Sequence, residues 1–322
     1  MTSIVSKRQN RVSAGRHKLD LKNAFPFLGL TAVLLFFSIA TNGRLLSQQN
    51  MRAMLNDGLY ILVASVGYLF MLAQGNLDFS IGANMGVSCA VCCIAANQIG
   101  VWASVPVAII TGSVIGLISS IIFIKGNISS FIVTLAMQFV LNGLVLVILN
   151  GARLAAPMSM LSLFTTPVKL GIAVGVVAIG YMVYQFTPFG KMCRAIGSCE
   201  EVVRQSGINT FILKVAPFVI MGALCGLLGF VSLIRTGTAS NQTGSTLMMN
   251  VLNAVLLGGL PISGGPTAKF RAVIIGTLTM VLMTSGMTIM GLGTVGQQLV
   301  KGCVFLIAIG ISFDRRNSKV IK

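Results

Sequence analysis

Thr187-Pro188-Phe189-Gly190-Lys191-Met192-Cys193-Arg194-Ala195-Ile196-Gly197-Ser198-Cys199-Glu200-Glu201-Val202-Val203-Arg204-Gln205-Ser206-Gly207-Ile208-Asn209 is a polar interruption between long apolar runs. It carries Lys191, Arg194, Glu200, Glu201 and Arg204. Pro188 and Gly190 break the apolar helix before it, and Gly207 stops the short helix within it. The pattern predicts a helix over Met192 to Gln205, polar on one side, with Ile196, Val202 and Val203 on the other. At a membrane surface such a helix is a docking element for a partner. The competing reading is an ordinary solvated loop.

Outward from this stretch the chain reads as membrane. Hydrophobic residues make up 55% of the 322 and charged residues 9%, with a mean hydropathy of +0.91. A soluble domain carries roughly 25% charge. Apolar runs fall at about 25–41, 55–73, 79–97, 102–124, 128–149, 169–187, 211–234, 246–260, 271–290 and 295–313. A spanning helix needs about 20 such residues. The expected fold is therefore an all-α polytopic membrane protein of about ten spans in one bundle. Eight or nine spans are the alternatives, because 246–260 is short and 79–97 is interrupted near Gly82 or Gly86.

The formal charge of +17 invites a nucleic-acid reading. Its distribution argues against one, because the basic residues lie at segment ends and form no cluster interleaved with aromatics. With the N-terminus inside, ten spans put the basic tail of residues 1–24, Lys125, Lys191, Arg194, Arg204, Lys214, Lys269, Arg271 and the tail of 314–322 on the cytoplasmic side. Arg44, Arg52, Arg153, Lys169 and Arg235 fall opposite. This is the asymmetry of the positive-inside rule, for a multi-pass protein of the bacterial inner membrane with both termini cytoplasmic.

Glycine pairs at Gly112/Gly116, Gly171/Gly175 and Gly222/Gly226 have the spacing that lets helix backbones approach closely in lipid. Two breaker-rich segments, Gly75-Asn76-Leu77-Asp78-Phe79-Ser80-Ile81-Gly82 and Gly258-Gly259-Leu260-Pro261-Ile262-Ser263-Gly264-Gly265, share Gly, Leu, Ser and Gly at matching offsets. Interrupted segments in corresponding places of two halves mark a transporter's internal repeat. Chance competes, since only four positions match and both segments fall on the cytoplasmic side.

Several chemistries are missing. No Gly-x-x-x-x-Gly-Lys-Ser/Thr phosphate loop, His-Glu-x-x-His pair or nucleophile elbow occurs. Cys89, Cys92 and Cys93 cluster without a neighbouring His, the only one being His17, so no metal or cofactor is expected. Asp78, with Asp57, is the only acid near membrane depth, and proton relays need several. The sequence thus predicts no enzyme and no self-contained ion pump. Lys301, inside the last run, either snorkels to an interface or faces a cavity. Gln138, Asn142, Gln297 and Gln298 are more often helix–helix partners than ligand contacts.

These stretches, in order, resemble a known family: the permease subunit of ABC importers for simple sugars, of the ribose/xylose/arabinose/galactoside type. That family shares its superfamily with the branched-chain amino-acid permeases. Residues 75–82 resemble its Gly-Gly-Ile-Asp-Leu-Ser-Val-Gly. Residues 127–135 resemble its Pro-Phe-Ile-x-Thr-Leu region. Residues 189–209 resemble its cytoplasmic Gly-Arg-x-x-x-Ala-x-Gly…Ser-Gly-Ile element. Leu257-Gly258-Gly259…Ser263-Gly264-Gly265 and Gln297-Gln298-Leu299-Val300-Lys301-Gly302 resemble its C-terminal motifs.

The resemblance covers about 55–312 and implies a division of labour. A separate ATP-binding subunit supplies energy, an extracytoplasmic binding protein delivers the solute, and a second permease copy completes the pathway. It implies ATPase coupling through the loop 188–209, by Gly190, Arg194, Gly197, Glu200, Glu201 and Gly207. Asp78, Ser80, Gln138 and Asn142 become the weaker candidates for the solute pathway. The alternatives are a branched-chain amino-acid permease, an ion-coupled secondary carrier and a non-transporting scaffold. Two departures bear on the solute. Residues 247–254 lack the acid of the family's Glu-Leu-x-Ala-Ile-Ala-Ala, and Asn142-Gly143 stands where Arg-Gly is common.

Overall fold

The structure, a computed structural model, describes residues 21–312. The basic head before Leu21 and the tail from 314 lie outside them. The helices are α1 (Leu21–Ala40), α2 (Gln48–Ala73), α3 (Ile81–Gln98), α4 (Val101–Lys125), α5 (Ser130–Leu149), α6 (Met158–Leu161) and α7 (Thr166–Phe186). They continue as α8 (Pro188–Ser198), α9 (Glu200–Gln205), α10 (Thr210–Thr236), α11 (Leu247–Leu257), α12 (Arg271–Ile289) and α13 (Thr294–Ser312). A 3-10 turn spans Arg44–Leu46, and the two-residue strands β1 (Leu154–Ala155) and β2 (Thr238–Ala239) pair antiparallel.

Each of the ten apolar runs is a helix, and the protein is an all-α polytopic membrane protein. Among the described residues, seven helices (α2, α3, α4, α5, α7, α10 and α12) are long and apolar enough to cross a bilayer. The apolar parts of α1 and α13 are shorter, as is α11 with 11 residues. At 1.5 Å per residue, α11 covers about 16 Å, roughly half of a hydrocarbon core about 30 Å thick. Two boundaries differ from expectation: α1 starts at Leu21, four residues inside the predicted tail, and α2 starts at Gln48 rather than 55.

The most extensive helix pair is α4 against α10, which run antiparallel. A Cβ on Gly112 would land on the Gly222 carbonyl oxygen, and one on Gly222 on the Gly112 oxygen. Gly116 meets the Phe218 oxygen and Gly226 the Ala108 oxygen in the same way. Two of the three predicted glycine pairs therefore form a single seam, in which backbones touch because no side chain intervenes. The third pair differs. Gly171 and Gly175 have nothing within 4 Å, because α7 buries only 6% of its apolar window in this chain.

α3 is buried on all sides, as a helix apolar all round must be. It carries Cys89, Cys92 and Cys93 as free, buried thiols. Its position follows from how α2 stops. Gly75 takes φ +78, its N–H donates to Leu72 O at 2.9 Å, and the Asn76 N–H donates to Met71 O at 3.0 Å. This left-handed cap satisfies two carbonyls that the helix leaves free.

α11 stops identically, with Gly259 at φ +85 and Leu260 N–H on Val255 O. The two breaker segments thus correspond with Gly75 matching Gly259, one residue off the register that the sequence suggested. Asn150 and Gly291 stop α5 and α12 by the same bonds. The likeness of the two segments is, to this extent, shared helix-stop chemistry.

Beyond the stop, residues 76–80 turn inward. Leu77 N–H donates to Ser130 Oγ (3.3 Å) and Phe79 N–H to Thr134 Oγ1 (3.1 Å) on α5. The Ser80 N–H and hydroxyl both reach Asp78 Oδ1, at 2.8 and 2.6 Å, and α3 begins. Gly82, in its first turn, packs on the carbonyl of Gly244, just before α11. From this junction α11 returns to the rim where α2 ended, since Gly265 N–H donates to Ala73 O at 2.9 Å. α3 leaves for the opposite rim, where Asn97 Nδ2 donates to Ala155 O at 3.1 Å. α3 and α11 therefore meet by their amino ends inside the bundle.

The α4–α10 seam should be intolerant of bulk. Overpacking typically costs roughly 1–3 kcal/mol, and here the obstacle is backbone. Gly222→Leu is expected to lower the melting temperature of the purified protein clearly, whereas Gly302→Leu, with nothing within 4 Å of it, leaves it within error. Equal melting of the two variants would contradict the seam.

Candidate coupling surface and solute cavity

The polar interruption forms two helices where one was expected. Thr187 is extended, and Pro188 sits at the first position of α8, where its fixed φ and missing N–H suit a helix start. Proline both ends α7 and founds α8, four residues ahead of the predicted start. The helix breaks at Cys199 (φ −165, ψ 105). α9 then begins with Glu200 and Glu201 in its first turn, where the helix dipole favours acids. The break re-sets the register. Ile196 and Val203 are buried as expected, but Val202 turns outward and is 60% exposed.

This hairpin is keyed into the bundle through backbone. A Cβ on Gly197 would strike both the Ala73 carbonyl oxygen and the Gly265 nitrogen, the pair that joins the two helix stops. Side chains complete the joint. Gln74 Nε2 donates to Leu213 O (2.7 Å) and to Cys193 Sγ (3.3 Å). The Tyr184 hydroxyl donates to Ala268 O at 2.7 Å. Phe189 stacks on Phe70 with centroids 5.7 Å apart.

The six residues singled out from sequence fall on the hairpin as follows. Gly190 folds α8 back on the Tyr184 carbonyl, and Arg194 lies 5.1 Å over the Tyr184 ring while its Nε donates to Gly190 O. Gly197 is the contact just described, and Gly207 (φ +77) ends α9. Glu200 accepts from Lys214 Nζ at 3.0 Å, which ties α9 to α10. Glu201 pairs with Arg204 on the exposed surface, where an ion pair contributes about 0–1 kcal/mol. Sequence reading missed Gln74 and Tyr184. A glutamine at the end of an apolar run was a usable signal; nothing marked the tyrosine.

A cavity of about 500 Å³ lies at the other rim, within the range of roughly 300–1,000 Å³ usual for small-molecule sites. Exposed Asp57 and Gln298 stand at its mouth, and buried Ile61, Met85, Leu247 and Val281 form its floor at the α3–α11 junction. Its walls set polar side chains among apolar ones. Arg235 Nη2 donates to Asp57 Oδ1 (2.8 Å), Lys301 Nζ to Asn250 Oδ1 (3.0 Å) and Ser285 Oγ to Asn50 Oδ1 (2.7 Å). Gln297 Nε2 donates to Thr288 Oγ1 at 3.0 Å.

None of the four pathway residues read from sequence lines this cavity. Asp78 and Ser80 are buried, bonded to one another at the start of α3. Gln138 is half-buried on α5, and Asn142 is exposed there. Lys301 faces the cavity, which decides between its two readings. Gln297 both bridges to α12 and lines the cavity. Asn50 and Asp57, two turns apart on α2, and Gln297 and Lys301, one turn apart on α13, were the legible signal: polar residues sharing one face of an apolar helix.

A bundle of spanning helices, a cavity with polar side chains open at one rim and a keyed surface hairpin at the other define a multi-pass membrane permease. The family model described as "Branched-chain amino acid transport system / permease component" matches residues 50–309, and the chain belongs to this family. Among curated relatives, the ribose import permease protein RbsC of Bacillus subtilis (strain 168) is 30% identical over 91% of this chain and 92% of its own length. The L-arabinose ABC transporter permease protein AraH of Azospirillum brasilense is 28% identical over 85% and 83%. The xylose transport system permease protein XylH of Escherichia coli (strain K12) is 24% identical over 92% and 93%. No solved structure matches the chain.

The hairpin's cysteines offer a check on this packing. Burial pushes the Cys193 thiol up to about 11, against the lowering effects of the Gln74 hydrogen bond and the Arg194 charge. The thiolate is the reactive form, so Cys193 should stay unlabelled by maleimide at pH 7–8 and gain reactivity only as the pH nears that value. Exposed Cys199 should label readily at pH 7. Peptide mapping after labelling reads both sites, and rapid labelling of Cys193 at pH 7 would contradict the packing.

Proposed function

We propose that this chain is the membrane-spanning subunit of a binding-protein-dependent ABC importer that moves a simple sugar. The observation that carries it is the joint at Gly197. A short helix on the membrane surface touches, backbone to backbone, the two helix stops that lead to the cavity floor. On this reading a separate ATP-binding subunit docks on the outer face of α8 and α9, through Lys191, Ala195, Glu201 and Val202. An extracytoplasmic binding protein releases solute into the cavity, and a second copy of the chain packs on the outward faces of α5 and α7. ATP is hydrolysed on the partner.

Orientation follows from charge. The rim with the hairpin gathers Lys125, Lys191, Arg194, Arg204, Lys214, Lys269 and Arg271, which favours the cytoplasm. The cavity rim then faces outward, and both tails lie inside. Asp78 and Ser80 stand below the cavity floor, on the route to the cytoplasmic rim, and meet solute when the amino ends of α3 and α11 part. Gln138 and Asn142 would reach it across the boundary with the second copy. The sugar assignment is supported by the relatives, whose names give ribose, L-arabinose and xylose.

Co-purification in mild detergent from the native host tests this reading. A P-loop ATPase is expected in the complex. Glu201→Lys and Val202→Asp should each insert normally and lose most of the bound ATPase, because both side chains are exposed and hold nothing within the bundle. Undiminished ATPase in both variants would contradict docking at this face.

A further inference from the structure

The charged side chains lining the cavity are Asp57, Arg235 and Lys301. Asp57 accepts the Arg235 guanidinium at 2.8 Å, so that pair is neutral. Tyr60, beneath the Arg235 guanidinium, donates its hydroxyl to Val231 O at 3.2 Å. Lys301 is the charge left over. Its ammonium donates to the Asn250 amide oxygen at 3.0 Å, a neutral acceptor, and no described acid forms an ion pair with it. Lys301 also lies seven residues into α13 from Thr294, about 10 Å along the axis. An ammonium at that depth between apolar helices is costly without a counter-charge.

The hydrogen-bonding pattern has the same sign. The ammonium has three protons, and one is spent on Asn250. Asn250 gives one lone pair of its oxygen to Lys301, and its NH₂ group is a donor left for the cavity. This corner therefore presents donors around an excess positive charge. Neutral hydroxyls are amphoteric and satisfy such a corner only in part; an oxyanion accepts from both groups and neutralises the lysine.

We propose that the cavity takes a solute bearing a carboxylate or phosphate, a sugar acid or sugar phosphate, whose oxyanion is held by Lys301 and Asn250. This rests on the sugar reading above and narrows it. Residues 247–254, which flank Asn250, hold no acid. An acid beside Lys301 would occupy the position that the solute's own charge is to fill.

The test uses the full-length chain in lipid nanodiscs, with thermal protection measured against D-ribose, D-ribonate and D-ribose 5-phosphate at matched ionic strength. Acetate and inorganic phosphate serve as sugar-free anions. One of the two sugar anions should half-protect at about a tenfold lower concentration than D-ribose, the scale of one hydrogen bond to a charged group. Which of the two protects identifies the group. That advantage should vanish in Lys301→Met and in Asn250→Asp, the second of which keeps the lysine and supplies an internal counter-charge.

D-ribose protecting as well as both acids, or no anion protecting at all, overturns the proposal and leaves the sugar reading standing. Acetate or phosphate protecting as well as the sugar anions also overturns it, because the corner then holds an anion without regard to the sugar. An advantage that survives in Asn250→Asp also overturns it.

Discussion

In hydrocarbon every backbone N–H and C=O must find a partner within the protein, and this chain interrupts its helices at membrane depth. The interruptions at 74–80 and 240–246 are tolerated because each is closed by protein groups. Ser130 and Thr134 of α5 take the N–H groups of Leu77 and Phe79. Asp78 takes that of Ser80, and Gly82 and Gly244 lie carbonyl against Cα with no side chain between them. The rest of the architecture follows from this closure. α11 is short because it starts inside the bundle, and the cavity ends where the amino ends of α3 and α11 meet.

The same two segments link the ends of the molecule. Ala73 and Gly265 share one hydrogen bond, and Gly197 rests on both. On the proposed function, a partner that pulls on α8 and α9 acts on the stops of α2 and α11 without an intervening flexible side chain. Tyr184, Gln74 and the Phe70–Phe189 stack make the hairpin rigid enough to carry that motion. Displacement at one rim then reaches the cavity floor through helices rather than through loops, as rigid-body alternating access requires.

The bundle was legible because lipid imposes a simple code: ten apolar runs, charges at their ends, and glycines at four-residue spacing. The glycines of the α4–α10 seam were legible, but not that the two pairs face each other or that Gly171 and Gly175 stand apart from them. Other features failed for definable reasons. The start of α8 was misplaced because Pro188 reads equally as a stop and as a first helical residue. Val202 was turned the wrong way because nothing local announces the break at Cys199. The cavity was invisible as a unit, since its walls come from α2, α10, α11, α12 and α13. Asn50 and Asp57, like Gln297 and Lys301, were present as one-faced polar pairs, but which pairs face each other is decided only by packing.

The most direct measurement of the joint is ATP hydrolysis by the assembled complex carrying Gly197→Leu, with and without solute-loaded binding protein. A leucine there must push α8 off the Ala73–Gly265 pair while the outer face of the hairpin stays intact. The account predicts that the ATPase still binds, that basal hydrolysis persists, and that stimulation by the loaded binding protein is lost together with transport. Stimulation and transport equal to those of the unaltered complex would contradict it.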